Sequence, residues 1–121
     1  MDRTQILMDF RPNLGLDITV STDEEKFQNT VLRPILKFQN DVLQVHFSNA
    51  ALANKPNFAK EEPNDRRNFV VQKLSKDTVI RNTMIGMVVA LMTPEEMLIY
   101  QNDESMYKRR IISMLVDRLL S

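Results

Sequence analysis

A chain of 121 residues, 43% hydrophobic and 26% charged, has the composition of one globular domain with a modest core. Its 16 basic and 16 acidic residues cancel, which supplies no net field for nucleic acid or an anionic membrane and is compatible with self-association. The lack of cysteine excludes disulfides, thiolate nucleophiles and cysteine-based zinc sites.

Segment Met1–Phe10 carries Asp2 and Asp9 and has no long apolar stretch, so it does not read as a signal peptide. Asp2 to Phe10 fits one or two helical turns with Ile6, Leu7 and Phe10 on one side. Arg11-Pro12-Asn13 ends them. In Leu14–Val20, Leu16, Ile18 and Val20 alternate with Asp17 and Thr19, which predicts an extended arm with no second strand to pair with. Residues 1–20 are therefore expected to form an N-terminal arm.

Ser21-Thr22-Asp23-Glu24 is a helix start. Ser21 with Glu24, or Thr22 with Glu25, matches a capping box, and the acidic cluster suits the positive end of the helix dipole. The helical pattern runs over 21–51, roughly 45 Å at 1.5 Å per residue. Pro34 interrupts it, and an interior proline removes a hydrogen bond and kinks a helix. The apolar phase nonetheless continues from Val31 through Ile35 to Phe38 and Val42, which favours one kinked helix over two. Its apolar arc spans ~200°, wider than the ~100° stripe of a surface helix.

Residues 52–64, with Pro56 and Pro63, read as the main loop, and 65–120 as the remaining helices. Asp65 is expected to cap a helix through Leu74, with Phe69, Val70 and Leu74 inward. A second segment follows from Asp77. Its run Met84–Met92 is apolar all round, the mark of a central or interface-buried helix, and far short of the ~20 residues that span a bilayer. Gly86 and Ala90, four apart, would let another helix approach closely. Thr93-Pro94-Glu95-Glu96 combines an N-cap, a first-turn proline and a capping-box glutamate. Asp103 or Ser105 opens the last helix, with Tyr107, Ile111, Leu115 and Leu119 as its stripe. The expected fold is all-α: a bundle of four to five main helices in one domain, with a long Pro-kinked first main helix and an extended N-terminal arm.

Gly15 and Gly86 are the whole glycine complement, too few for a many-stranded β fold, a P-loop or a dinucleotide fingerprint. The polar line Gln28, Gln39, His46 is the one site candidate the residues offer. Gln39 and His46 lie 11 and 18 residues after Gln28, spacings that return almost to one angle on a regular helix, inside an apolar face, although a kink at Pro34 would rotate Gln28 off the line. Buried polar side chains need partners. One reading is a ligand pocket, with His46 as a proton carrier, the two amides as orienting groups and Arg33 or Arg81 assisting. The other is a structural network bonding to the arm, to water or to a second copy.

One histidine and no Glu-x-x-His pair leave no metal site and imply no cofactor. Glu24-Glu25 and Glu95-Glu96 sit in first helical turns, where the dipole accounts for them. Lys108-Arg109-Arg110 fan over ~200° and form no patch, while Glu104 stands four before Lys108 as a helical partner. No glycine elbow supports a nucleophilic triad. The reading leans away from an enzyme.

The segments Phe27 to Asp41, Ile80-Arg81-Asn82 through Ile85-Gly86-Met87, Thr93-Pro94-Glu95-Glu96 and Arg109-Arg110-Ile111-Ile112 resemble a family of small uncharacterised bacterial proteins sometimes labelled glyoxalase. The resemblance covers about Phe27 to Leu119. Glyoxalase I-type enzymes use βαβββ modules and histidine and glutamate metal ligands, none of which maps onto a position here. What the resemblance implies is a helical family, not a reaction. The expectation is a cytoplasmic helical interaction or assembly protein, homo-oligomeric, with no nucleic acid or membrane partner; the alternative is a small-molecule binder using Gln28, Gln39 and His46.

Overall fold

The computed structural model describes residues 2–11 and 22–121, and every regular element among them is helical. The expected arm Leu14–Val20, with Gly15 and the Ser21 cap, lies outside the described residues. Helix α1 is Arg3–Phe10 and α2 is Asp23–Phe27; a π-helical segment, Gln28–Leu32, then leads without a break into α3, Arg33–Ala51. A 3₁₀ turn at Phe58–Lys60 precedes α4 (Pro63–Lys76), α5 (Thr78–Val89), α6 (Pro94–Asn102) and α7 (Glu104–Leu120).

Helix α3 packs on α5 and α7, α4 packs on the same two helices, and α6 leans on α7. Between them Leu32, Ile35, Leu36, Leu43, Val70, Leu74, Met84, Val88, Ile111 and Leu115 are fully enclosed. Each such side chain contributes about 1.5–3 kcal/mol on burial, so this row dominates the stability of the bundle. Val116 joins the expected α7 stripe of Tyr107, Ile111, Leu115 and Leu119 in the core.

Helix ends follow local chemistry. Thr22 Oγ1 accepts from the Glu25 N–H at 3.2 Å, and Asp77 Oδ1 accepts from the Ile80 N–H at 3.1 Å. Thr93 and Glu96 form a reciprocal capping box, with Pro94 in the first turn of α6. The start of α4 differs from expectation: Glu62 is its N-cap and Pro63 opens it, leaving Asp65 inside the first turn. Proline at a first helical position costs nothing, because its missing N–H would have no partner there.

The π segment is where Pro34 makes itself felt. Proline clashes with the carbonyl four residues back and offers it no N–H. Here the Arg33 N–H reaches five residues back to the Gln28 carbonyl, so the widened turn absorbs the misfit and the helix runs on. One π turn acts like a one-residue insertion, which turns everything before it by about 100° relative to a regular helix.

Two expectations about burial are corrected. The wide apolar arc of the long helix is only half covered: Phe27, Val31, Leu32, Ile35 and Leu43 are buried, but Phe38, Val42 and Val45 are 50%, 48% and 61% exposed. The run Met84–Met92 is not enclosed all round either. Helix α5 ends at Val89, Met84, Ile85 and Val88 face the core, and Gly86 and Ala90 face outward. A Cβ added at Gly86 would meet nothing within 4 Å, so no described helix uses that glycine for close approach.

Candidate functional site

The π turn separates Gln28 from the rest of the expected polar line. Gln28, inside it, accepts at Oε1 from Arg110 Nη1 of α7 at 2.7 Å. Gln39, beyond it, donates from Nε2 to the Met87 carbonyl of α5 at 2.8 Å. His46 bonds to neither, and its Nε2 is buried with no partner among the described residues. Among the described residues no hydrogen bond joins any two of the three. Each amide instead fastens the long helix to a different neighbour.

The two assisting arginines lie elsewhere. Arg81 donates to the Ser75 carbonyl at 2.9 Å, closing the tight α4–α5 connection. Arg33 is exposed and borders a shallow cleft of about 280 Å3 at the far end of α7, with Met114 and Arg118. Gln28, Gln39, His46, Arg33 and Arg81 therefore do not converge on one place.

Three polar residues outside that set organise the other end of the bundle. Arg3 donates to the Met92 and Ala90 carbonyls, both at 2.8 Å, and so reaches the C-terminal end of α5, where the helix dipole favours a cation. Arg11 forms a two-pronged ion pair with Glu96 and also donates to the Leu91 carbonyl at 3.1 Å. Glu96 Oε1 simultaneously accepts from the Thr93 N–H at 2.9 Å. The desolvation of Glu96 works against its charge, but the hydrogen bonds from Arg11 and Thr93 and the Arg11 charge outweigh it and hold the carboxyl below the ordinary 4.5. Spacing reveals the Glu96 cap but not its second duty, because the partner is 85 residues away in sequence.

These contacts place α1, which buries no residue of its own, beside α3. Phe10 stacks on Phe38 with ring centroids 5.8 Å apart. From there an exposed apolar stripe continues along α3 through Val42 to Val45. Phe38, Val42 and Val45 recur at i, i+4 and i+7, while Leu43 and Phe47 on the opposite side point into the core. The stripe itself holds no charge. It is the surface to which the covered face of α3 gives no purpose.

No described helix is long and apolar enough to cross a membrane, and the described residues hold no group of three or more His, Cys, Asp or Glu fit for a metal ion. Compared with family models, curated proteins and solved structures, the chain matches none.

Proposed function

We propose that this chain is a cytoplasmic helical interaction protein whose first partner is a second copy of itself, docked along the outer face of α3. The observation that carries the reading is the stripe of Phe38, Val42 and Val45, each about half exposed or more on a regular helix. Isolated exposed apolar residues need no explanation, but three in register, extended by Phe10, make a contiguous patch.

The spacing favours a copy of the same helix as the occupant. Phe38, Val42, Val45 and Asn49 fall at alternating four- and three-residue steps, the seam of a two-helix coiled pairing. Such a seam is self-complementary about a two-fold axis, the commonest oligomeric symmetry. An asparagine in the seam restricts register and the number of strands. The balanced charge of the chain adds no repulsion between copies.

Paired substitution tests the surface. Val42→Lys with Val45→Glu alters two exposed positions, so the fold is kept while an apolar seam becomes charged. In sedimentation velocity at tens of micromolar the parent should sediment faster than this variant. Equal sedimentation of the two would remove the α3 face from the proposal.

A further inference from the structure

A cleft of about 440 Å3 opens between the π segment, α6 and α7. That volume lies in the range of small-molecule sites. Phe27, Val31 and Tyr107 form its buried floor, and Ile99, Asp23 and Lys26 stand at the exposed rim. The floor is aromatic in depth: Phe27 and Tyr107 have ring centroids 4.6 Å apart, and Tyr100 stands 6.4 Å behind Tyr107. The widened π turn supplies Thr30 and Val31 to the wall, and π turns recur at functional sites because they displace a helix face from its regular register.

Tyr107 is the side chain that points to a ligand. It is only 5% exposed, yet its hydroxyl makes no hydrogen bond among the described residues. A buried tyrosine hydroxyl ordinarily finds a partner. Tyr107 is part of the lining of the cleft, which puts it within reach of a ligand seated there.

The charges around it set the class of ligand. Burial first, then the carboxylates of Glu24, Asp103 and Asp23, push the Tyr107 hydroxyl's pKa up, against the opposite pull of Arg110, so the hydroxyl stays neutral. Arg11 neutralises Glu96, and among the described residues the remaining charges near the hydroxyl and at the rim are the three carboxylates Asp23, Glu24 and Asp103 against the two cations Lys26 and Arg110. A neutral phenol oxygen, aromatic faces and surplus carboxylate together suit an organic cation and repel an anion.

We propose that this cleft binds a small primary ammonium carried on an aromatic or branched aliphatic body. The ammonium sits between Asp23 and the Tyr107 oxygen, and the apolar body lies on Phe27, Val31 and Ile99. The site is separate from the α3 stripe, so neither reading depends on the other.

Three probes of matched shape test it: 2-phenylethylammonium, 3-phenylpropionate and neutral 2-phenylethanol, each titrated into the isotope-labelled full chain and followed by amide chemical shifts. The expected result is saturable shifts for the ammonium, confined to residues around Phe27–Val31, Ile99 and Tyr107, with the propionate at least about tenfold weaker. Tyr107→Phe keeps the ring in the core and should weaken the ammonium about tenfold. Asp23→Asn, at an exposed position, should weaken the ammonium while leaving 2-phenylethanol unchanged, and it carries the test if the tyrosine variant misfolds. Absent or non-saturating shifts, shifts centred elsewhere, equal binding of ammonium and propionate, or indifference to Asp23→Asn would each overturn the assignment.

Discussion

Arg11 and Glu96 form a nearly enclosed ion pair that joins the end of α1 to the capping box of α6, with side chains only 7% and 14% exposed. Because α1 buries no residue, this pair and the Arg3 contacts, beside the Phe10–Phe38 stack, are what hold it. Arg11→Ala should therefore cost roughly 2–3 kcal/mol, below the full cost of breaking a buried pair because the Thr93 N–H still serves Glu96. Denaturant unfolding reads the loss. Amide exchange locates it, with protection falling in α1 and persisting in α3, α5 and α7. Unchanged protection in α1 would show that the apolar contacts alone suffice.

The same pair predicts how stability responds to acid. The carboxyl of Glu96 is lowered by folding, so its contribution is complete above the unfolded value near 4.5 and disappears as pH falls through the lower folded value. The parent should lose stability between about pH 5 and the foot of that window more steeply than Glu96→Gln, which has no charge to lose. Parallel acid curves for the two proteins would contradict the role given to the ion pair.

His46 carries a buried ring nitrogen without a partner among the described residues. Leaving such an atom unsatisfied costs about 1–3 kcal/mol, so His46→Leu should stabilise the protein by about 1 kcal/mol, seen as a rise in Tm. A fall in Tm would show that the imidazole has a partner outside the described residues.

Pro34 offers a sharper test of the π turn. Proline inside a regular helix costs about 3 kcal/mol relative to alanine, a gain that Pro34→Ala should recover if the helix were regular. The π turn has already relieved the clash, and winding it into a regular turn would swing Phe27 out of the core. The expected change is under about 1 kcal/mol by denaturant unfolding. A gain near the full proline penalty would mean that the π turn is merely imposed by the proline.

The helices were legible in the sequence because their signals are local. Thr93 with Glu96, Asp77 before Thr78, and the Tyr107–Leu119 stripe each lie within a few residues of what they specify. The polar line was not legible as a site, because its geometry assumed a regular helix from Gln28 to His46. A single π turn rotates Gln28 toward Arg110 and away from Gln39. The Arg11–Glu96 pair and the Tyr107 cleft join distant segments, and no spacing rule reaches across them. The surplus width of the α3 arc was legible, but not that Phe38, Val42 and Val45 are the residues left exposed, because an apolar arc shows what wants burial but not how much of it one chain can cover.

Self-association through α3 is tested most directly by light scattering of the unmodified chain over a concentration series reaching tens of micromolar. The measured mass should rise toward twice the 14.1 kDa of one chain, and Val42→Lys with Val45→Glu should hold it at the single-chain value. A parent mass that stays at 14.1 kDa across the whole series would contradict the account.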